Sequence, residues 1–303
     1  MPYMRALATL AFGAICISFA PVFVKMLFDR MGPTEIGMWR TGLGSLVLFA
    51  LAAAKRQPLA MTRRQFSWSI LAGFIFFLDL FVWHRSILFI GAGLATILGN
   101  TQVFGTAAIG RLVFKERLSP MFYLASSAAL VGIILLVGPG EEVMSHDKYL
   151  SGIGYGLLTA LAYACYLVTL RLSGLGKEST PALTFMAWTS FFSSIFLFLS
   201  AVIEGEPSML PDLYGIFVLS LLAIIAQAIG WWAIFTGLPQ LPASRAGLVL
   251  LLQPLLATVW GVWFFGEYLA PVQLLGAVVT LTAIYAGISR RLQTVATAEK
   301  RGE

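Results

Sequence analysis

The feature that most constrains this chain is the recurrence of unbroken apolar runs about as long as a bilayer is thick. Ten can be drawn, at roughly 6–28, 34–54, 66–88, 92–114, 120–138, 152–172, 181–203, 213–236, 243–265 and 270–289. Each is close to the ~20 residues that a helix needs to cross a hydrocarbon core about 30 Å thick. Peptide groups in lipid must find partners within the protein, so only helices or closed barrels span, and runs this long lack the alternating ten-residue pattern of barrel strands. The predicted fold is an all-α polytopic membrane bundle of ten transmembrane helices. Composition agrees, since 11% of the residues are charged against about 25% in an ordinary soluble domain.

The first run follows Arg5 and so invites a signal-peptide reading. It is too long, and it has no small-x-small cleavage pattern before Lys25, so it is read as the first span. Cys16 and Cys165 lie inside apolar runs and read as small buried hydrophobes, not as a disulfide or metal site. The net charge of +6 has no soluble basic domain to carry it, which argues against nucleic acid as a partner. Its distribution is the informative part. With a cytoplasmic N-terminus, 15 of the 20 Lys and Arg fall inside, Lys25, Arg30, Arg85 and Lys148 fall outside, and Arg40 lies within the second span. By the positive-inside rule both termini are cytoplasmic. The acidic stretches at 140–150 and 204–212 then lie outside.

The chain also repeats itself. "QVFGTAAIGRLVFKERLSP" (102–120) laid over "QPLLATVWGVWFFGEYLAP" (253–271) pairs Gln102 with Gln253, Gly110 with Gly261, Glu116 with Glu267 and Pro120 with Pro271. Each copy holds five spans, an odd number, so the second copy crosses the membrane in the opposite sense. The expected organisation is one repeat over 1–140, an inverted one over 150–290, and a polar cytoplasmic tail over 291–303. Inverted repeats with a site near the midplane between them are a secondary-transporter architecture.

These residues resemble the EamA-type, ten-helix members of the drug/metabolite transporter superfamily. The likeness is carried by "PTEIGMWRTGLGSLVL" (33–48), "AGLATILGNTQVFGTAAIGRLVFKERLS" (92–119) and "ASRAGLVLLLQPLLATVWGVWFFGEYLA" (243–270). The first copy departs from the family at Gln102-Val103, where a proline is common. The resemblance implies a small-molecule carrier, often a bacterial inner-membrane exporter of amino acids or other metabolites, and fixes neither substrate nor direction.

Polar residues inside the spans are the candidate site. In "FFLDLFVWHRSI" (76–87), Asp79 lies about 17 Å along its helix, near the midplane. Ionisable groups at that depth are costly and usually mark a pathway. Trp83 shares its face at i+4, whereas His84 and Arg85 point elsewhere. At an offset of 148 residues, shown by Pro33 over Pro181, Asp79 lies over Gln227 and Trp83 over Trp231. The expected cavity lining is therefore Asp79, Trp83, Gln227 and Trp231, with interhelical packing as the competing reading. Further lining candidates are Asn100 and Phe104, and Tyr163 with Tyr166. Arg40 is either a structural residue of the second span or the partner of Asp79. His84 is read as an outer-rim residue, with a gating or proton role as the alternative. Glu116 and Glu267 sit at helix ends and read as bonds to neighbouring helix termini.

The function these features imply is secondary transport of an amino-acid-like or amphipathic metabolite, as a proton-coupled exporter or, alternatively, as an exchanger or importer. A dianionic substrate would call for a cluster of buried cations, and only Arg40 lies well inside a span. Two histidines and two isolated cysteines offer no catalytic or metal-ligand set, and no phosphate-binding loop is present for primary pumping. The expected partners are the substrate, the bilayer, a proton and, if the chain associates, a second copy of itself in a homodimer. No cofactor is expected.

Overall fold

A computed structural model describes residues 2–137, 149–174, 180–205, 210–266 and 270–301, and among these no strand occurs. The first span is α1 (Pro2–Ser18) and α2 (Ala20–Leu27). They part at Phe19 because Pro21 has no N–H to return to the preceding turn. Then follow α3 (Pro33–Ala54), α4 (Arg63–Asn100), α5 (Gln102–Val113), α6 (Pro120–Val137), α7 (Tyr149–Gly174) and α8 (Ala182–Glu204). The eighth span runs through α9 (Leu213–Leu221), a π-helical stretch (Leu222–Gly230) and α10 (Trp231–Gly237). The ninth is split into α11 (Ala243–Val249) and α12 (Leu252–Phe265), and α13 (Pro271–Arg301) is last. Proline opens α3, α6 and α13 and immediately precedes α8 and α11, positions where its missing N–H costs nothing.

The third and fourth spans meet without a loop. Helical hydrogen bonding is continuous over Arg63–Asn100, which drawn straight would be about 57 Å, nearly twice a bilayer core. The helix instead folds back on itself. A Cβ on Gly156 would stand 2.7 Å from Leu98 Cδ1 and 3.1 Å from Ser86 Oγ, although 12 residues of straight helix would separate those two side chains by about 18 Å. The reversal falls between Ser86 and Leu98.

Helix pairing obeys the repeat. α1 packs against α10 and the π stretch, α4 against α7, α3 against α8, α5 against α11 and α6 against α13. Exchanging each span for its counterpart in the other copy turns the first pair into the second and leaves the other three unchanged. That invariance is the signature of a pseudo-two-fold axis between the repeats. Small residues allow the close approaches: a Cβ on Gly13 would lie 2.8 Å from the Gly230 carbonyl oxygen, and one on Gly132 would lie 2.8 Å from that of Gly276.

Candidate functional site

A cavity of about 90 Å³ lies on this axis, enough for several water molecules or a small organic molecule. Three of the contributing spans bend or break there, whereas α3 and α7 pass it unbroken. Ser18 and Pro21 flank the α1–α2 bend, Gly99 and Asn100 end α4, and Gln253 and Pro254 begin α12. The two broken spans match. Thr101 N–H bonds the Leu98 carbonyl at 3.0 Å, and Leu251 N–H bonds that of Leu248 at 3.2 Å, both i to i−3 turns. Discontinuous spans at a midplane cavity recur in transporter sites.

Of the predicted residues, the fold brings Asp79, Trp83, Trp231, Asn100, Tyr163 and Arg40 together around this cavity. Asp79 Oδ1, Arg40 Nε and Trp231 Nε1 are each buried without a hydrogen-bond partner among the described residues. Asp79 and Arg40 are near enough for their charges to interact, yet no ion pair joins them among the described contacts. Buried polar groups are ordinarily satisfied, so a carboxylate and a guanidinium with free capacity on one cavity wall are poised for a ligand. Below them Phe76 stacks on Tyr166 at 4.7 Å, and Trp231 meets Phe76, Tyr163 and Tyr166 edge-on at 5.1, 5.9 and 4.8 Å. This aromatic floor separates the cavity from the end of the bundle that carries the N-terminus.

Four expectations need correction. Gln227 is fully buried away from the cavity and donates to Ser190 Oγ at 3.0 Å, with α3 so close that a Cβ on Gly44 would lie 2.4 Å from its Cγ. Its equivalence to Asp79 assumed equal winding. The i to i−5 bonding of the π stretch turns fewer degrees per residue, so Gln227 leaves Asp79's face while Trp231 returns to Trp83's. Tyr166 belongs to the floor and not to the lining. His84 is fully buried, not at a rim, packed beside the Gly37 position, the Trp83 ring and the Pro33 carbonyl. Phe104 also turns away from the cavity, with 36% of its surface exposed.

The other charges are structural. Arg85 pairs with Glu204 and also donates to Thr34 Oγ1 at 3.3 Å, tying α3, α4 and α8 at one end. At the opposite end Glu116 accepts from the Ala243 N–H at 2.7 Å, from Ser244 Oγ at 2.8 Å and from Arg171. One carboxylate thus caps α11 and joins the first repeat to two helices of the second, as expected of a helix-end glutamate. Burial opposes its charge, but these donors hold the Glu116 carboxyl below the ordinary range. Glu267 lies outside the described residues. Sequence reasoning missed Ser18, Phe76, Thr159 and Gln253 in the lining. Gln253 alone carried a signal, as one of the matched pair Gln102/Gln253.

Two inverted five-span units around a cavity with uncommitted buried charge define a membrane transporter. The chain belongs to the EamA-like transporter family, which it matches over residues 4–138 and again over 150–287. It is 28% identical over 291 residues to the threonine/homoserine exporter RhtA of Escherichia coli strain K12, covering 92% of this chain and 90% of that one. An uncharacterized transporter of Clostridium kluyveri is 24% identical over 262 residues, 84% and 83% of the two chains. A probable amino-acid metabolite efflux pump of Salmonella typhimurium is 26% identical over 205 residues, 65% and 67%. One solved crystal structure superposes with a TM-score of 0.80 over 95% of this chain and 98% of that one. At 16% identity that likeness speaks to the fold alone.

Proposed function

We propose that this transporter exports a small amino-acid-like or amphipathic molecule by alternating access, driven by a proton gradient, with both termini in the cytoplasm. One observation carries the substrate class: Asp79 and Arg40 line a single cavity, and each has a buried polar atom with no hydrogen-bond partner among the described residues. A zwitterion answers both, its ammonium facing Asp79 and its carboxylate facing Arg40. Trp83 and Trp231 supply apolar faces that also attract cations, by roughly 0.5 to 2 kcal/mol. Export is supported by relatives named as a threonine/homoserine exporter and a probable amino-acid metabolite efflux pump. Orientation is supported by the bias of Lys and Arg toward one side. Asp79, as an intramembrane carboxylate, is the group assigned to carry the proton.

Arg40 in the same cavity favours a second reading. If its charge keeps Asp79 ionised throughout the cycle, no proton is carried and the protein is an exchanger. Proteoliposomes loaded with threonine or other small amino acids, with and without an imposed pH gradient, separate the two. A proton-coupled exporter moves substrate against its gradient when the pH gradient is applied, and an exchanger moves it only against counter-substrate. Failure to move any amino acid under either condition would overturn both.

A further inference from the structure

The fourth and ninth spans carry matching glutamines that do different things. Gln102 opens α5 and is fully buried. Its Nε2 donates to the Gly247 carbonyl at 3.2 Å and its Oε1 accepts from the Thr106 hydroxyl at 2.7 Å. Both of its ends are spent, the amide nitrogen on joining the two broken spans and the oxygen on a bond within α5. Gln253, in the first turn of α12, lines the cavity instead. Pro254 follows it with no N–H to return to the Leu250 carbonyl, and the Gln253 N–H takes that acceptor at 3.0 Å. From this kink the Gln253 side chain donates through Nε2 to the Tyr163 hydroxyl oxygen at 3.0 Å.

A phenol carries one hydrogen and can accept through its oxygen. Accepting from Gln253 occupies the oxygen and leaves the Tyr163 O–H to be donated, with no acceptor for it among the described hydrogen bonds. We propose that Gln253 is a positioning residue: it holds Tyr163 with its hydroxyl hydrogen presented to the cavity, so that Tyr163 reads a hydrogen-bond acceptor oxygen on the substrate. The substrate's identity rests on the proposed function, whereas the positioning rests on the hydrogen bond alone. A neutral amide suits the task, because it donates without adding charge beside Asp79 and Arg40. A carboxylate in its place would accept and would draw the Tyr163 hydrogen away from the cavity.

The test is a double-mutant cycle on threonine transport in proteoliposomes, with Tyr163→Phe, Gln253→Leu, Gln253→Glu and the Tyr163→Phe/Gln253→Leu pair. Each single variant should raise KM by roughly three- to tenfold at nearly unchanged maximal rate, the scale of one lost hydrogen bond. The double variant should be no worse than Tyr163→Phe, because Gln253 acts through Tyr163. Gln253→Glu should be as impaired as Gln253→Leu despite its matching size. Losses that multiply in the double variant, or fall on maximal rate alone, would overturn the positioning role. The same cycle read as melting temperature needs no substrate. Non-additive shifts support the Gln253–Tyr163 bond, and additive shifts remove it. A wild-type protein that moves no amino acid would sink the proposed function, and the stability cycle would still decide the bond.

Discussion

Asp79, Trp83, His84 and Arg85 stand within seven residues of one helix and meet three different fates. Asp79 and Trp83 face the cavity, His84 is sealed into packing and Arg85 is tied to Glu204. Their separation follows from 3.6 residues per turn and is legible in the sequence. Whether Asp79 carries a proton or complements Arg40 is decided by charge removal. If it carries the proton, Asp79→Asn abolishes transport driven by a pH gradient and leaves substrate exchange largely intact. If it complements Arg40, both activities fall and expression recovers when Arg40→Gln is added, because removing one charge of a buried pair leaves the other uncompensated. The tryptophans admit a similar contrast. Trp83→Ala and Trp231→Ala should weaken apparent affinity by several-fold, with Trp83→Phe milder. Trp188→Ala should leave affinity unchanged, since that indole donates to the Leu59 carbonyl at 3.0 Å and packs on Phe49 and Phe66, away from the cavity. Equal effects at all three positions would reduce the tryptophans to packing.

Elements explain where a one-dimensional reading stops. Span number, the repeat and the matched glutamines follow from residue type and spacing alone. The fate of Gln227 does not, because a repeat offset transfers a face only if both helices wind alike, and the π stretch at Leu222–Gly230 has no counterpart in α4. The break at Leu250–Leu251 is accounted for by Pro254, whose missing N–H leaves the Leu250 carbonyl without its helical partner. The matching break at Thr101 has no proline and follows from the pairing of α5 with α11 across the axis. Glu116 is the element-scale device that sequence did anticipate, and it can be measured. Glu116→Ala removes the cap of α11 and strands Arg171, a loss of about 3 kcal/mol if it behaves as a broken buried pair. Glu116→Gln keeps an acceptor for the Ala243 N–H and should lose less. The pH dependence has a definite sign. Because folding holds this carboxyl below its ordinary 4.5, its charge contributes stability fully above that value and loses it as pH falls through the folded-state value. The stability difference between wild type and Glu116→Gln should therefore be flat from about pH 7 to about pH 5 and shrink below about pH 4.5. A difference that grows on acidification would mean that the charge of Glu116 opposes the fold.

At the scale of the whole molecule, the pairing of spans is symmetric about the cavity. The pairs are unchanged when the two repeats exchange roles, the symmetry on which the proposed alternating access relies: an arrangement open at one end would have a two-fold-related counterpart open at the other. The lining draws on Ser18, Trp83, Asn100, Thr159 and Ala257. These residues lie on the far side of the aromatic floor from the N-terminus, and the Glu116 cluster fastens the N-terminal end. All of this requires that the second repeat be inverted, and inversion has a direct consequence for accessibility. Ala60 lies between α3 and α4 and Leu210 between α8 and α9, both exposed. Four spans, the third to the sixth, separate Ala60 from the end of α7, because the reversal inside α4 adds a crossing that a single straight helix would omit, and one more, α8, follows before Leu210. The count from Ala60 to Leu210 is therefore five, an odd number, and the two positions must face opposite solutions. After Cys16 and Cys165 are replaced, Ala60→Cys should react with a membrane-impermeant maleimide only in opened cells, and Leu210→Cys should react in intact ones. Labelling of both from one face would mean that α4 crosses once, and the inverted repeat, the axis and the shared cavity would fall together.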